Sequence, residues 1–498
     1  MNEMQRIKLR KEPDLSAKLK AFTFQTEALS HIRDLEYAAI FHEQGLGKSK
    51  IAIDLILYWL KQKSIDTVLY VTKKSLVNNC LEEFKLHTHL HPNVLSQDKA
   101  HNFYVFNSPS RLIIANYEVI VSEYERIQLF FRSRGVAIIL DESTRLKNPD
   151  SVLAKRLFTL APLCKRRIIM SGTPIANRPY DIWAQVYFLD NGRSLGNDFK
   201  AFQKANDLTN ELYKDQQAQD VFAASVESIF DKISGFTVRE TKNSNIITLP
   251  EKIYENIEVE WERYQYDLYK QIKEETKAII VKNGRPVLDD SEAILKRLLR
   301  LVQVASNPAL IDQSYHKRPG KLDPLETIVT NIYNNNEKCI IWTSFTDNVD
   351  WLARELEKYG TRRLHGGISI QERNASIAAF KNNSDIHILV ATPGAAKEGL
   401  TLTVANNVIF YDRAFSLDDY LQAQDRIHRI SQEKTCHVYI LTMQDSIDQW
   451  VDILLKSKHI AAQLAQGDIS AEQFANIMTY DFGKMIKSVL GVNENDDG

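Results

Sequence analysis

Residues 36–62, EYAAIFHEQGLGKSKIAIDLILYWLKQ, decide the fold of this chain. A short apolar run is followed by a glycine turn and then by apolar residues at helical spacing, which predicts a strand, a tight loop and a helix. A G-K-S sequence in such a loop is typical of phosphate binding, and its candidate binding residues are Gly45, Gly47, Lys48 and Ser49. His42 takes the place of the usual first glycine. The loop predicts a nucleoside triphosphate as ligand, with Mg²⁺ on the Ser49 hydroxyl.

Short β-branched or apolar runs alternate with helical patterns in both halves of the chain. The first group of runs is EYAAIFH, TVLYVT, RLIIANY, GVAIILDE and RRIIMSG. The second group is KCIIWTSF, TRRLHGG, IHILVATP, NNVIFYD and CHVYILT. Buried strands separated by helices predict parallel, doubly wound sheets, so we expect an α/β protein with two such lobes.

The stretch between the lobes has a different character, because it is rich in charged and aromatic helical sequence and contains one extended piece, NSNIITLPEKIYENIEVEW. We therefore divide the chain into a first, ATP-binding lobe, helical protrusions with a connector, a second lobe, and a C-terminal helical brace with an acidic tail. The predicted bounds of these four parts are 1–195, 196–310, 311–445 and 446–498.

Composition restricts the class of protein. The 498 residues are enough for two or three domains, and no uncharged apolar run reaches the roughly eighteen residues of a membrane span. The four cysteines lie far apart without a C-x-x-C pair, which argues against a disulfide framework and a zinc module. The formal net charge is −1, so any binding of nucleic acid must depend on a locally basic surface.

Two further patterns suggest phosphoryl chemistry. The apolar run GVAIIL ends in Asp141 and Glu142, where one carboxylate can hold Mg²⁺ and the other can polarise an attacking water. An acidic helix cap after a strand would look the same. Arg426 and Arg429 are three residues apart and share one face of a helix or turn. They are either a solvated basic face or arginine fingers that stabilise charge on the transferred phosphoryl group.

The order of these motifs resembles that of the Swi/Snf-type ATPases, a branch of helicase superfamily two. The resemblance covers the chain from about residue 15 to about residue 460 and is most specific at DESTRLKNP, SGTP and HRISQ. Further matching segments are FTFQTEAL, HEQGLGKS, YVTKKSL, IIANYE, VRETKNSNIITLPEK, LRLVQVASNPAL, IIWTSF, LHGGIS and EGLTLTVANNVIFYDRA. The chain departs from the family pattern at Thr144, where a histidine is usual, and at Ser431, where a glycine is usual.

The resemblance implies two RecA-like lobes, ATP as substrate, Mg²⁺ as cofactor and a role for each matching residue. It implies that Gln25 reads the adenine and that Gln422 contributes to nucleotide binding. It places Lys48 and Ser49 on phosphate and Mg²⁺, and Asp141 with Glu142 on metal and water. Ser171 and Thr173 would couple the state of ATP to contacts with DNA. Arg426 and Arg429 would complete the hydrolytic site from the second lobe.

Three pairs of basic residues are candidate contacts to nucleic-acid phosphates, although such pairs are more often simply solvated surface. They are Lys73 with Lys74, Arg145 with Lys147, and Arg362 with Arg363. Contacts of this kind read backbone and shape, so we expect salt-sensitive binding with little sequence preference.

The leading hypothesis is an ATP-dependent translocase on double-stranded DNA, which the resemblance implies. A strand-separating helicase on DNA or RNA is the alternative within the enzymes. From another class, a DNA-binding scaffold that has lost hydrolysis is the third, and the intact Lys48, Glu142 and Arg429 argue against it. We expect a monomeric motor without membrane contact, cytoplasmic and nucleoid-associated in a bacterium or virus, or nuclear in a eukaryote.

Overall fold

The computed structural model describes residues 9–175, 179–206, 216–242, 249–282, 285–286, 291–395, 402–429 and 431–465. These residues form two compact units, one made of the described residues of 1–248 together with 461–465, and the other of those of 249–460. The predicted acidic tail, NENDDG, lies outside the described residues. Among the described residues, no helix is both long and apolar enough to cross a membrane.

The first unit contains one sheet, and all of its described strand pairs are parallel. Its strands are β1 (Tyr37–Ile40), β2 (Thr67–Thr72), β3 (Asn93–Val94), β4 (Leu112–Asn116), β5 (Val136–Asp141), β6 (Arg166–Met170) and β7 (Thr237–Val238). The spatial order β3-β4-β2-β5-β6-β1-β7 puts β5, β6 and β1 side by side. The loops that follow these three strands therefore meet at one edge of the sheet.

Helices connect these strands and cover the sheet. They are α1 (Thr23–Ile32), α2 (Lys48–Lys61), α3 (Val77–His87), α4 (Lys99–Asn107), α5 (Tyr117–Ser122), α6 (Tyr124–Ser133), α7 (Val152–Leu160), α8 (Trp183–Asp190), α9 (Phe199–Asn206) and α10 (Gln216–Ile233). Helix α2 shows why the sequence folds in this way, because Ile51, Leu55 and Trp59 are all buried against the sheet. Burying each such side chain contributes about 1.5–3 kcal/mol. The indole of Trp59 also donates to the Arg33 carbonyl over 2.7 Å.

The second unit repeats the architecture with a parallel sheet in the order β12-β13-β11-β14-β15-β8. The described strands of this unit are β8 (Lys252–Val259), β9 (Val281–Lys282), β10 (Arg285–Pro286), β11 (Cys339–Trp342), β12 (Thr361–Leu364), β13 (Ile388–Ala391), β14 (Asn407–Phe410) and β15 (Cys436–Met443). Of these, β9 and β10 form a short antiparallel pair outside the parallel sheet. Its helices are α11 (Arg263–Ile280), α12 (Ser291–Ser306), α13 (Leu322–Asn334), α14 (Thr346–Glu355), α15 (Ile370–Asn382), α16 (Leu417–Gln424) and α17 (Ile447–Ala465).

The two parallel sheets with their helices confirm the predicted fold class. Each of the ten apolar runs singled out in the sequence contains a strand. Strands β7 and β8 lie in the stretch 196–310, which the sequence assigns to protrusions and connector, and they join the edges of the first and second sheets. The division of the chain into four parts with the bounds given above remains a prediction.

Candidate functional site

The phosphate loop connects the carboxyl end of β1 to the first residue of α2. Gly45 and Gly47 have φ angles of 87° and 71°, a left-handed backbone conformation that favours glycine. Gly47 is the N-cap of α2, so the helix begins at Lys48 with its N–H groups at the loop. The helix N-terminus and the exposed backbone N–H groups make this loop suited to an anion such as a phosphate.

Lys48 forms hydrogen bonds with two backbone carbonyls of its own loop. Its ammonium donates to the carbonyl oxygen of His42 over 3.0 Å and to that of Glu43 over 3.4 Å. The side chain is largely buried, with 9% of its surface exposed. These two carbonyls hold the ammonium at the loop, where a phosphate ligand would reach it.

His42 fits where a glycine is usual because its backbone does not adopt a positive φ. Its ring is buried and stacks on Phe24 at a centroid distance of 5.9 Å. Burial, and then the charge of Lys48, lower the pKa of His42 to about 4. The imidazole is therefore neutral near pH 7 and packs α1 against the loop.

The structure brings Gln25 of α1 against the same loop. Its Nε2 donates to the Leu46 carbonyl over 3.3 Å, and its Oε1 accepts from the Phe22 N–H over 3.0 Å. A Cβ at Gly47 would lie 2.4 Å from Gln25 Nε2, so this close approach requires glycine. Gln25 thus lies beside Gly47 and Lys48, where an adenine contact was predicted; the role itself remains a prediction.

The acid pair lies at the carboxyl end of β5. The Thr72 hydroxyl donates to Asp141 Oδ2 over 3.1 Å, and the Tyr117 hydroxyl donates to the Asp141 carbonyl over 2.7 Å. Burial, and then the neighbouring charge of Glu142, raise the pKa of Asp141 to about 6, whereas Lys48 acts in the opposite direction. Because burial makes the charged form of Asp141 unfavourable, a cation bound beside it would stabilise that form. With the Ser49 hydroxyl, it offers the oxygen ligands that Mg²⁺ prefers, so the residues present fit this metal.

Glu142, which follows β5, contacts residues of the loops after β1 and β2. Its backbone is left-handed, with φ 55° and ψ 52°, which is uncommon for a residue with a side chain. Its Oε1 accepts from Gln44 Nε2 over 3.4 Å, and its Oε2 lies 3.8 Å from the Lys73 ammonium. Lys73, a candidate nucleic-acid contact in the sequence, therefore lies beside the acid pair. Gln44 was not singled out in the sequence, where nothing distinguishes it from an ordinary loop residue.

The SGTP turn follows β6 and packs beside β1. The Ser171 N–H donates to the Ile40 carbonyl over 3.2 Å, and the Ser171 hydroxyl accepts from the Thr173 N–H over 3.1 Å. Both side chains are buried. A Cβ at Gly172 would lie 2.8 Å from Cγ and Nε2 of Gln44, so this turn touches the phosphate loop directly.

Gln185 of α8 connects the SGTP turn to the loop after the acid pair, and sequence reasoning missed it. Its Oε1 accepts from the Ser143 hydroxyl over 2.7 Å, and its Nε2 donates to the Pro174 carbonyl over 2.9 Å. The side chain is fully buried. The available signal was a lone glutamine in the apolar and aromatic segment WAQVYFL, since a buried amide must find partners.

In the second unit, the predicted arginines lie directly after α16, which ends at Gln424. Arg426 Nη2 donates to Gln422 Oε1 over 3.4 Å, and Arg429 Nε donates to the Asp425 carbonyl over 3.1 Å. Asp425 also pairs with Lys252 of β8 at 3.0 Å. Gln422 and Arg426 are thus in direct contact, and Arg429 contacts the backbone of the same segment. Their roles in nucleotide binding and hydrolysis remain predictions.

The remaining basic candidates differ in their partners. Lys74, Lys147 and Arg362 are exposed. Arg145 is exposed and lies 3.4 Å from Glu118. Arg363 instead pairs with Asp350 at 2.7 Å and Glu372 at 2.9 Å. The structure therefore separates this set into solvated cations and one arginine with two acidic neighbours.

A cleft of about 430 Å³ lies at the carboxyl ends of β11, β12, β13 and β14, and the sequence analysis did not identify it. It is shaped by Asp412, which accepts from the Ser344 N–H and the Thr343 hydroxyl, both over 2.6 Å. Hydroxyls, small residues and two arginines line it, among them Ser344, Thr346, Gly366, Arg373, Thr392 and Arg413, together with the carboxylates of Asp412 and Asp419. The hydroxyls and arginines suit contacts to phosphate oxygens.

Comparisons with known proteins agree with these observations. The family described as SNF2-related domain matches residues 24–310, and the helicase conserved C-terminal domain matches residues 320–431. A putative ATP-dependent helicase/translocase, YwqA of Bacillus subtilis, is 28% identical over 84% of this chain and 45% of its own length. The ISWI chromatin-remodeling complex ATPase ISW2 of Saccharomyces cerevisiae is 26% identical over 82% of this chain and 37% of its own length. The chain thus spans less than half the length of these curated relatives.

Among solved structures, the Sulfolobus solfataricus SWI2/SNF2 ATPase core in complex with dsDNA is 24% identical, with a TM-score of 0.43, over 95% of this chain and 97% of that one. The two domain matches confirm the predicted resemblance and, at the level of the family, the predicted class of nucleic-acid-dependent ATPases. The SNF2-related match alone covers more than half of the sequence. This chain therefore belongs to the SNF2-related family.

Proposed function

We propose that this chain is an ATP-dependent translocase that moves along double-stranded DNA. The observation that carries the proposal is the meeting of three loops at one sheet edge: the phosphate loop after β1, the acid pair after β5 and the SGTP turn after β6. Membership of the SNF2-related family and the names of the relatives, a helicase/translocase and a chromatin-remodeling ATPase, support the same function.

The proposed chemistry uses the side chains described above. Lys48 binds the β and γ phosphates, Ser49 and Asp141 hold Mg²⁺, and Gln25 and Gln422 contact the nucleotide. Mg²⁺ held by Ser49 and Asp141 would supply positive charge that offsets the negative charge of the phosphate oxygens. A water oxygen bonds to the γ-phosphorus, the bond to the bridging oxygen of ADP breaks, and a water proton passes to Glu142. Arg426 and Arg429 stabilise the charge on the transferred group.

The proposed DNA contacts are to the phosphate backbone. The exposed Lys74, Arg145, Lys147 and Arg362 supply positive charge, and the cleft at the carboxyl edge of the second sheet supplies hydroxyls and N–H groups. Phosphate contacts position a protein on a duplex without reading its bases. Binding should therefore depend on salt and only weakly on sequence. Ser171 and Thr173, which lie beside the phosphate loop, would couple the nucleotide state to these contacts.

The first prediction concerns the substrate and uses two assays on one preparation. We expect duplex DNA to stimulate ATP hydrolysis, because a backbone-bound duplex is the track of the proposed motor. We also expect ATP-dependent displacement of a triplex-forming third strand from duplex DNA, without comparable unwinding of a tailed duplex. Glu142→Gln protein serves as the matched control, since it should bind DNA and ATP but displace nothing.

Other results would support the alternatives. Efficient unwinding of tailed duplexes, especially of RNA, without third-strand displacement would favour the strand-separating helicase. A hydrolysis rate that no nucleic acid changes would contradict a motor altogether. DNA binding without any hydrolysis would favour the scaffold, against which the complete set of Lys48, Glu142 and Arg429 argues.

A further inference from the structure

The side chain of Glu142 is held from two directions. Its backbone conformation, with φ 55°, is supported by the Arg145 N–H, which donates to the Glu142 carbonyl over 3.2 Å. The left-handed conformation directs the side chain towards the loops after β1 and β2. There Gln44 lies at one carboxylate oxygen and Lys73 at the other.

The Gln44 side chain lies against the SGTP turn. Three atoms of its side chain lie within 2.9 Å of the position that a Cβ at Gly172 would occupy. A side chain at position 172 would displace this amide from its present place. From that place, Nε2 of Gln44 donates to Glu142 Oε1 over 3.4 Å on the side of the phosphate loop.

Lys73 is held less firmly. Its ammonium lies 3.8 Å from Glu142 Oε2, beyond the length of a good hydrogen bond, and the two side chains are 18% and 13% exposed. The ion pair is thus close enough to orient the carboxylate and near enough to solvent to be exchanged. The adjacent Thr72 hydroxyl donates to Asp141, so the end of β2 contacts both acids. The adjacent Lys74 is exposed, so the same segment also faces solvent with a positive charge.

We propose that Gln44 and Lys73 are positioning residues for the Glu142 carboxylate, and that Lys73 restrains hydrolysis until a nucleic-acid phosphate takes its ammonium. While the Lys73 ammonium lies beside Oε2, its charge makes this oxygen a weaker acceptor for the attacking water's proton. A backbone phosphate at the end of β2 competes for the same ammonium. Transfer of Lys73 to the phosphate leaves Oε2 of Glu142 more accessible to water, while Gln44 still donates to Oε1. This inference rests on the proposed function, because it assumes that Glu142 activates the water and that nucleic acid stimulates hydrolysis.

The test is the kcat for ATP hydrolysis without nucleic acid in Lys73→Met. Because a partly exposed ion pair contributes modestly, we expect this DNA-free kcat to rise about three- to tenfold and the stimulation by duplex DNA to shrink correspondingly. Lys73→Arg keeps the charge and should stay within about twofold of the wild type. A lysine that only contacts DNA would instead change the DNA concentration needed for stimulation and leave the DNA-free kcat as it is.

The matched control is Lys155→Met. Lys155 pairs with Asp150 at 3.3 Å in the same unit, and both side chains are more than half exposed. This variant should leave the DNA-free kcat unchanged. A Lys73→Met protein whose DNA-free kcat is unchanged or lower than that of the wild type would overturn the inference, and so would an equal rise in Lys73→Arg. If duplex DNA fails to stimulate the wild type, the proposed function fails, while the DNA-free kcat of Lys73→Met still tests the contact with Glu142.

Discussion

At the scale of the residue, Lys48, Glu142 and Arg429 are expected to be needed for three separate reasons. Lys48→Ala removes a phosphate contact, Glu142→Gln removes water activation, and Arg429→Ala removes stabilisation of charge in the transition state. Each substitution should abolish measurable turnover, with Arg429→Ala lowering kcat by about a thousandfold or more. Steady-state hydrolysis with saturating duplex DNA measures these effects, and circular dichroism checks that each variant is folded.

Binding of ATP distinguishes these variants from one another. Glu142→Gln should bind a fluorescent ATP analogue as the wild type does, because glutamine keeps the size of the side chain and its hydrogen bonding with Gln44. Lys48→Ala should bind it more weakly. If Arg429→Ala lowers kcat only two- or threefold, roughly the effect of losing a peripheral contact, its assignment as an arginine finger is wrong.

Single residues also show where sequence reasoning stops. Lys48 and the acid pair could be predicted, because phosphate and metal binding require particular residue types at the ends of recognisable strands. Gln44 and Gln185 could not, because a glutamine has no fixed chemistry of its own. Their importance depends on what approaches them: Gly172 and Glu142 for Gln44, and Ser143 and Pro174 for Gln185. These contacts join residues that are distant in the sequence, so they form only when the sheet has folded.

At the scale of the element, nine of the ten predicted strands are central ones whose apolar runs are largely buried, whereas the tenth, β12, lies at a sheet edge and is only partly buried. Strand β8 shows why others were not recognised as part of a sheet. It is an edge strand beside β15, and Tyr254, Glu255 and Asn256 along it are exposed, so its sequence lacks an apolar run. Strand β7 is only two residues long. Edge strands face solvent, and their sequences therefore carry less of the pattern on which the prediction depends.

A buried ion pair joins two helices of the second unit and allows a prediction of stability. Lys321, the N-cap of α13, lies 2.6 Å from Asp448 in the first turn of α17 and donates to the Tyr411 carbonyl over 3.0 Å. Both side chains are buried. Lys321→Met should lower the free energy of unfolding by roughly 3–5 kcal/mol, because it leaves a buried carboxylate without its cation. Urea unfolding followed by circular dichroism measures the change.

The double variant Lys321→Met, Asp448→Leu is the control for this prediction. Replacing both partners by apolar residues removes the uncompensated charge, so most of the lost stability should return. Equal destabilisation in the single and double variants would show that packing around Lys321, rather than its charge, stabilises the junction between α13 and α17.

At the scale of the whole molecule, 63 basic and 64 acidic residues nearly cancel, so the protein as a whole does not attract a polyanion. The proposed affinity for DNA would then come from a few exposed cations, and each phosphate they neutralise would release a counterion. The number of such contacts can be obtained from the slope of the logarithm of the binding constant against the logarithm of the salt concentration. A single substitution should change this slope only if the residue contacts a phosphate.

Arg362 and Arg363 on the edge strand β12 offer a matched pair for this measurement. Arg362 is exposed, and no ion pair to it is found among the described residues, whereas Arg363 lies between Asp350 and Glu372, which raise its pKa through hydrogen bonds and charge. We expect Arg362→Ala to make the slope shallower by about one. Arg363→Ala should weaken binding with a smaller change in slope, because two carboxylates already neutralise much of the charge it removes. Fluorescence anisotropy titrations of a labelled duplex at several salt concentrations measure both slopes. Equal slopes for the two variants, or an unchanged slope for Arg362→Ala, would place the phosphate contacts elsewhere on the molecule.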